Sequence, residues 1–154
     1  MNGTKVKKVF VQGAIPPEKI ADSISRHQTK TEIGAHSIFL GQVRADVIDG
    51  RRIKSIEYSA YEEMAEKEFH KISENVFWKF ELTCVHIYHS LGKVDAGEIC
   101  LFIFTSSSHR KGATDACQYI LESVKTKVPI FGKELFEDET YQWKENQHDE
   151  EYQT

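Results

Sequence analysis

Between Thr105 and Glu134 the chain reads TSSSHRKGATDACQYILESVKTKVPIFGKE, and its cations fall into two groups. His109, Arg110 and Lys111 stand where a helix should begin, directly after three serines. Lys125 and Lys127 stand where it should end, and Lys133 follows shortly after. Free backbone N–H groups at a helix N-terminus already favour an anion, and hydroxyls, a histidine and an arginine beside them strengthen that preference. At the other end, Lys125 follows Leu121 by four residues and precedes Val128 by three, so it shares a row with apolar side chains at the margin of the buried face. A lysine partly withdrawn from water near other cations has a lowered pKa and can act as a base or nucleophile near neutrality. The plainer reading is that Lys125 and Lys127 only complement the helix dipole, worth about 0.3–1 kcal/mol each, and for those residues taken alone it is the better one. Cations at both ends of one packed helix point to an anionic small ligand such as a phosphate ester.

Other candidate chemistry is weaker. His86 and His89 are three apart in a strand-like segment, which sends them to opposite faces and prevents joint chelation, so no metal site is expected. His36 and His70 have no ligand-spaced partner. Cys84, Cys100 and Cys117 lie singly in apolar segments with no CxxC pair and no readable activating base, which fits buried, reduced, structural thiols. The serine run lacks the glycines of a nucleophile elbow.

The elements that must position these groups follow from periodicity. Apolar residues at 113, 116, 117, 120, 121, 124 and 128 give one face of a helix over residues 110–128, which Pro129 stops. A second long helix spans residues 61–80, with Met64, Ala65, Phe69, Ile72, Val76 and Phe80 inward and acidic and basic residues outward. A short helix enters at Pro16 and Pro17, with Ile20, Ala21 and Ile24 on one side, and residues 27–32 read as a loop. Strands are expected at 6–12, 35–43, 53–58, 83–90, 98–106, 131–136 and 140–143. Residues 35–58 read as an antiparallel pair joined by a charged, flexible arm at 44–52, and LGKVDAG reads as the link between the strands at 83–90 and 98–106. The order predicts an α+β fold with a mostly antiparallel sheet.

At 154 residues the expectation is one domain over 1–154, with a polar tail fraying after Lys144. A net charge of −4 argues against a general nucleic-acid binder but allows a local basic pocket. No apolar run has the length of a membrane span or the character of a signal peptide, so no membrane association and a cytoplasmic location are expected.

GQVR at 41–44, YSAYEEMAEKEF at 58–69, YHSLGKVDAGE at 88–98, the run from Ser107 to Glu134 and the late YQW resemble, in order, the catalytic subunits of the molybdopterin synthase family. The likeness covers most of residues 34–143 and is loose before Ile33. It implies an α/β-hammerhead fold with an additional antiparallel β-sheet, and a homodimer within a heterotetramer. The partner it implies is a small ubiquitin-like sulfur-carrier subunit whose C-terminal Gly-Gly thiocarboxylate threads into the pocket. The implied reaction transfers sulfur twice to cyclic pyranopterin monophosphate, a pterin phosphate, forming the dithiolene of molybdopterin with no cofactor and no metal. By the same likeness, Arg44, His109 and Arg110 bind substrate and Lys125 is the main catalytic lysine. The family commonly has a second lysine directly after the aromatic that follows Pro129; here Gly132 holds that place and Lys133 comes one residue later, so Lys133 is carried as a candidate on the condition that it faces the site. Two other readings stand beside the enzyme: a homologue that docks the carrier without catalysis, and a module that binds a phosphorylated metabolite.

Overall fold

A single strand of twelve residues, β5 (Cys84–Asp95), is shared by both halves of the sheet. In this computed structural model, which describes residues 8–144, its first half pairs antiparallel with β6 (Ile99–Ser107), from Cys84↔Ser106 to His89↔Leu101. Its second half pairs antiparallel with β4 (Arg51–Ala60), from Tyr58↔Gly92 to Ser55↔Asp95. A short first strand, β1 (Phe10–Gln12), runs parallel to the middle of β5. The sheet extends outward through β2 (Ala35–Gln42) beyond β6, and through β7 (Ile130–Phe136) and β8 (Tyr141–Trp143) beyond β4.

The LGKVDAG segment is therefore mostly strand and not a link. Leu91 and Val94 are 5% and 0% exposed, so the apolar alternation runs on past Ser90. Gly92, at φ 83°, bends the strand and lets it change partners where another residue would end it. Residues 35–58 are also not a hairpin. β2 pairs along its length with β6, while β4 sits between β5 and β7, so the two segments belong to different halves of the sheet. The arm between them contains β3 (Val47–Ile48), folded back on Arg51 and Arg52 through a tight turn in which Asp49 and Gly50 both have positive φ.

Among the described residues, three helices cover the sheet. One face carries α1 (Pro17–His27), whose Ile20 packs near Ile15, Phe102 and Phe104. Here His27 is the last residue of the helix and 7% exposed, not part of a loop. The other face carries α2 (Glu62–Lys79) and α3 (Arg110–Lys127), which bury Ala65, Phe69, Ile72 and Val76 and Ala113, Ala116, Cys117, Ile120 and Val124 against Val85, Ile87, Leu101 and Ile103. Met64, expected inside, is 58% exposed, because the stripe that faces the sheet runs through Ala65 at steps of three and four and leaves Met64 beside it. α3 ends as Pro129 requires, with Val128 extended at φ −93°, ψ 127°. Its first turn is fixed by Gly112, where a Cβ would lie 2.9 Å from both the Phe80 carbonyl and the Ser107 hydroxyl. The α+β class with a mostly antiparallel sheet is as expected. The expected tail after Lys144 and the start of the first strand at Val6 and Lys7 lie outside the described residues.

Candidate functional site

The inward face of β5 and its neighbours in the second half of the sheet build a small polar centre around His89. This imidazole is 7% exposed, with Nδ1 2.7 Å from the Ser90 carbonyl. A carbonyl only accepts, so Nδ1 carries the proton of the neutral ring and Nε2 keeps a lone pair. Burial drives the His89 pKa down to about 4; the Ser90 carbonyl opposes this, and the positive charges of Lys125 and Lys144 push it lower. His89 is therefore a neutral group at physiological pH.

The Tyr58 ring meets His89 edge-on at 5.1 Å. Its phenol is held well above the ordinary range, first by burial, then by the neighbouring Cys100, and then by the Glu134 charge. Glu134 is 8% exposed, and its Oε1 accepts a hydrogen bond from Gln142 Nε2 at 2.8 Å. Gly132 faces the same side as Tyr58, its register partner. A Cβ there would lie 3.2 Å from Ile56 Cγ2, 3.5 Å from the Tyr58 ring and 3.6 Å from Lys144 Cβ. The Lys144 backbone donates to the Gly132 carbonyl at 2.7 Å, so β8 lays Lys144 against the glycine. The centre thus combines a neutral imidazole, a protonated phenol and a buried carboxyl group with two ammonium groups whose charge reaches the imidazole.

Of the residues expected from the sequence, Lys125 is the one whose charge reaches His89; it lies exposed in the last turn of α3. Lys133 does not. It alternates with Gly132 and Glu134 on β7, pairs in register with Glu57 and Trp143, and places its ammonium 4.1 Å from the Tyr141 ring on the opposite face. That face carries a shallow groove of about 410 Å³ lined by Ser59, Ala60, Tyr61, Phe131 and Trp143. His109 and Arg110 are exposed at the start of α3, as the N-cap and first residue. Fifteen residues of helix separate Arg110 from Lys125, about 22 Å at 1.5 Å per residue, so one protomer does not gather them around a small ligand. Arg44, after β2, is forked onto Asp46 with both contacts at 3.2 Å and its side chain 82% exposed.

Sequence reasoning missed Tyr58, Glu134 and Lys144 as site residues and took His89 only as a rejected metal ligand. Alternation along β7 could have placed Glu134 with Gly132 on an inner face. Nothing local marks Lys144, whose position depends on the β7–β8 pairing. His86 and His89 do face opposite sides, but the fold brings His27 and Cys84 to His86, a convergence that spacing along the chain does not show.

The family model described as "MoaE protein" matches residues 13–127. A rat protein named molybdopterin synthase catalytic subunit is 39% identical over 113 residues, covering 73% of this chain and 56% of that protein. Its namesake in Drosophila willistoni is 44% identical over 115 residues, covering 73% of this chain and 31% of the fly protein. The chain thus spans about half or less of the length of these relatives. Molybdopterin synthase from Staphylococcus aureus superposes with a TM-score of 0.76 at 32% identity, covering 89% of this chain and 96% of that one.

Proposed function

Because this chain belongs to the MoaE protein family, we propose that it is the catalytic subunit of a molybdopterin synthase, a sulfurtransferase acting on cyclic pyranopterin monophosphate. The observation that carries the reading is that the charges of two lysines, Lys125 and Lys144, both reach the buried, neutral His89, whose ring Tyr58 meets edge-on. Sulfur arrives as the thiocarboxylate of a small carrier subunit, so this chain needs no nucleophilic thiol of its own, and its three cysteines are buried and unpaired. The thiocarboxylate sulfur attacks a substrate carbon. A carbon–oxygen bond at that carbon breaks with its electron pair leaving on oxygen (a phosphate oxygen in the step that opens the cyclic phosphate). An acyl–sulfur link forms as the departing oxygen takes up a proton. Water then cleaves the acyl–sulfur bond, leaving sulfur on the substrate and a carboxylate on the carrier. Lys125 moves protons at the substrate atoms and offsets the anionic charge that develops, while Lys144 supplies the second cation where Gly132 has none.

The phosphate falls to Arg44, His109 and Arg110. Their distance from Lys125 within one protomer supports a homodimer in which the N-terminus of α3 serves the partner's lysines. Ile38 and Leu40, 38% and 42% exposed on the edge strand β2, give such a pairing an apolar surface. The aromatic groove beside Tyr61, Phe131 and Trp143 suits the carrier subunit. No helix among the described residues is long and apolar enough to cross a membrane, and a reducing cytoplasmic setting fits the free thiols.

A single-turnover assay with cyclic pyranopterin monophosphate and thiocarboxylated carrier tests the proposal. Dithiolene product from the wild type, lost in Lys125→Ala, is the expected result. Gly132 favours one second reading, a homologue that docks the carrier without turnover; carrier binding with no product from the wild type would select it.

A further inference from the structure

The opposite face of β5 holds a second cluster, unrelated to the sulfur-transfer centre. Cys84 and His86 are two apart on the strand and point to the same side, where the last turn of α1 lowers His27 onto them. The Sγ of Cys84 and one ring nitrogen from each histidine lie within 4.8 Å of one another. His27 Nε2 is 3.1 Å from His86 Nε2, and His27 Nδ1 is 2.6 Å from the Ser23 carbonyl. That carbonyl fixes the tautomer: Nδ1 bears hydrogen, and Nε2 turns its lone pair into the cluster. A backbone carbonyl orienting one nitrogen so that the other can bind is the usual support of a metal-bound histidine. The ring is further clamped by Phe104, with centroids 4.8 Å apart.

We propose that His27, Cys84 and His86 form a Zn²⁺ site with an open fourth position. With Zn–N bonds of 2.0–2.1 Å and a Zn–S bond of 2.3 Å, a tetrahedral ion sets nitrogens about 3.3 Å apart and sulfur about 3.6 Å from each nitrogen. The two nitrogens already stand near that spacing, and the sulfur needs only a side-chain adjustment. Two imidazoles and a thiolate suit zinc better than magnesium or calcium, which prefer oxygen. His86 is only partly buried, and with three protein ligands the fourth position of a tetrahedral zinc falls to water.

Binding has a definite proton balance. The Cys84 thiol gives its proton to solvent and the sulfur pair goes to the metal. Because His27 Nε2 is an acceptor, the proton between the two rings sits on His86 Nε2; it leaves for solvent while His86 Nδ1 takes one up, so the ring stays neutral. Lys30 Nζ, now 3.0 Å from the sulfur, is a cation at the place the metal takes and must swing into water. The flanking His36 is held by Nδ1 to the Ser106 hydroxyl at 2.7 Å and is not a ligand in this arrangement. An occupied site would fasten the end of α1 to the centre of the sheet.

Tag-free, full-length protein titrated anaerobically with Co²⁺ tests the site directly. One equivalent should give intense tetrahedral visible bands and a sulfur-to-cobalt charge-transfer band, both displaced by Zn²⁺. Calorimetry with Zn²⁺ should show Cys84→Ser and His27→Gln weakening binding by at least about 100-fold, the upper end of the loss for an outer-shell partner. Cys117→Ser should leave binding unchanged and Lys30→Met should tighten it. In wild type, Zn²⁺ should protect Cys84 from alkylation, a readout that does not depend on the variants folding. A weak octahedral cobalt spectrum, or Cys84 alkylated at the same rate with and without Zn²⁺, overturns the proposal.

Discussion

β5 offers one histidine to each side of the sheet, and the two imidazoles become different reagents. His86 meets His27 nitrogen to nitrogen, beside a thiol and a lysine, at the end of a helix. His89 has its Nδ1 bound to the carbonyl of Ser90 and its ring walled by Phe10 and Tyr58. One face gathers donors that can converge on a cation; the other holds a neutral wall under two cations. Three residues along a strand are enough to separate these roles, because strand alternation sends the side chains into different layers. Burial first, and then the charges of Lys125 and Lys144, keep the separation by disfavouring a positive charge at His89.

The sharpest way to break this contrast is at the lysines. Lys125→Ala should lower single-turnover product formation by about 10²-fold or more, the range for loss of a proton-transfer group, while its melting temperature stays within a few degrees because the residue is exposed. Lys144→Ala should cost about tenfold, and adding Gly132→Lys should restore most of it. The new Cβ needs only a few tenths of an ångström from Ile56, and its amine enters on the same face. If Lys144→Ala has no effect while Lys133→Ala abolishes turnover, the assignment of faces is wrong.

His89 sharpens the contrast through pH. Its folded pKa, about 4, lies below the unfolded 6.5, so between these values the unfolded chain holds a proton that the folded one lacks. Stability should be full above about pH 6.5 and fall as pH drops toward 4, by about 3 kcal/mol. Urea unfolding across that window should show the slope, and His89→Gln should flatten it. The smallest effect belongs to Lys133. Losing an ammonium over the exposed Tyr141 ring should cost about 0.5–1 kcal/mol in the same unfolding experiment, with little change in turnover.

What was legible in the chain is what repeats locally. The stripe through Ala113, Ile120 and Val124, and the stop at Pro129, follow from spacing and from proline's effect on Val128. The position of Lys125 beside Leu121 belongs to the same pattern. What was not legible depends on pairing between distant segments. Gly92 looks like a turn residue, and only the strands on either side make it a bend within β5. His27 lies 59 residues from His86, and Lys144 reaches Gly132 only because β8 pairs with β7. Met64 shows the finer limit: a one-residue rotation of a helix face decides whether a side chain is core or surface, and both registers contain apolar residues.

The central place of β5 has a further consequence during synthesis. Its neighbour β4 lies between β5 and β7, and both follow it in the chain. Apart from the two-residue β3, a nascent β4 therefore has no strand to pair with until β5 emerges. Its other edge stays open until β7 arrives, roughly seventy residues after Ala60. At 5–20 residues per second that wait is several seconds. Throughout it, Ile53 and Ile56 sit on an uncapped edge, the state in which a growing chain is most open to chaperone capture or to pairing with another copy.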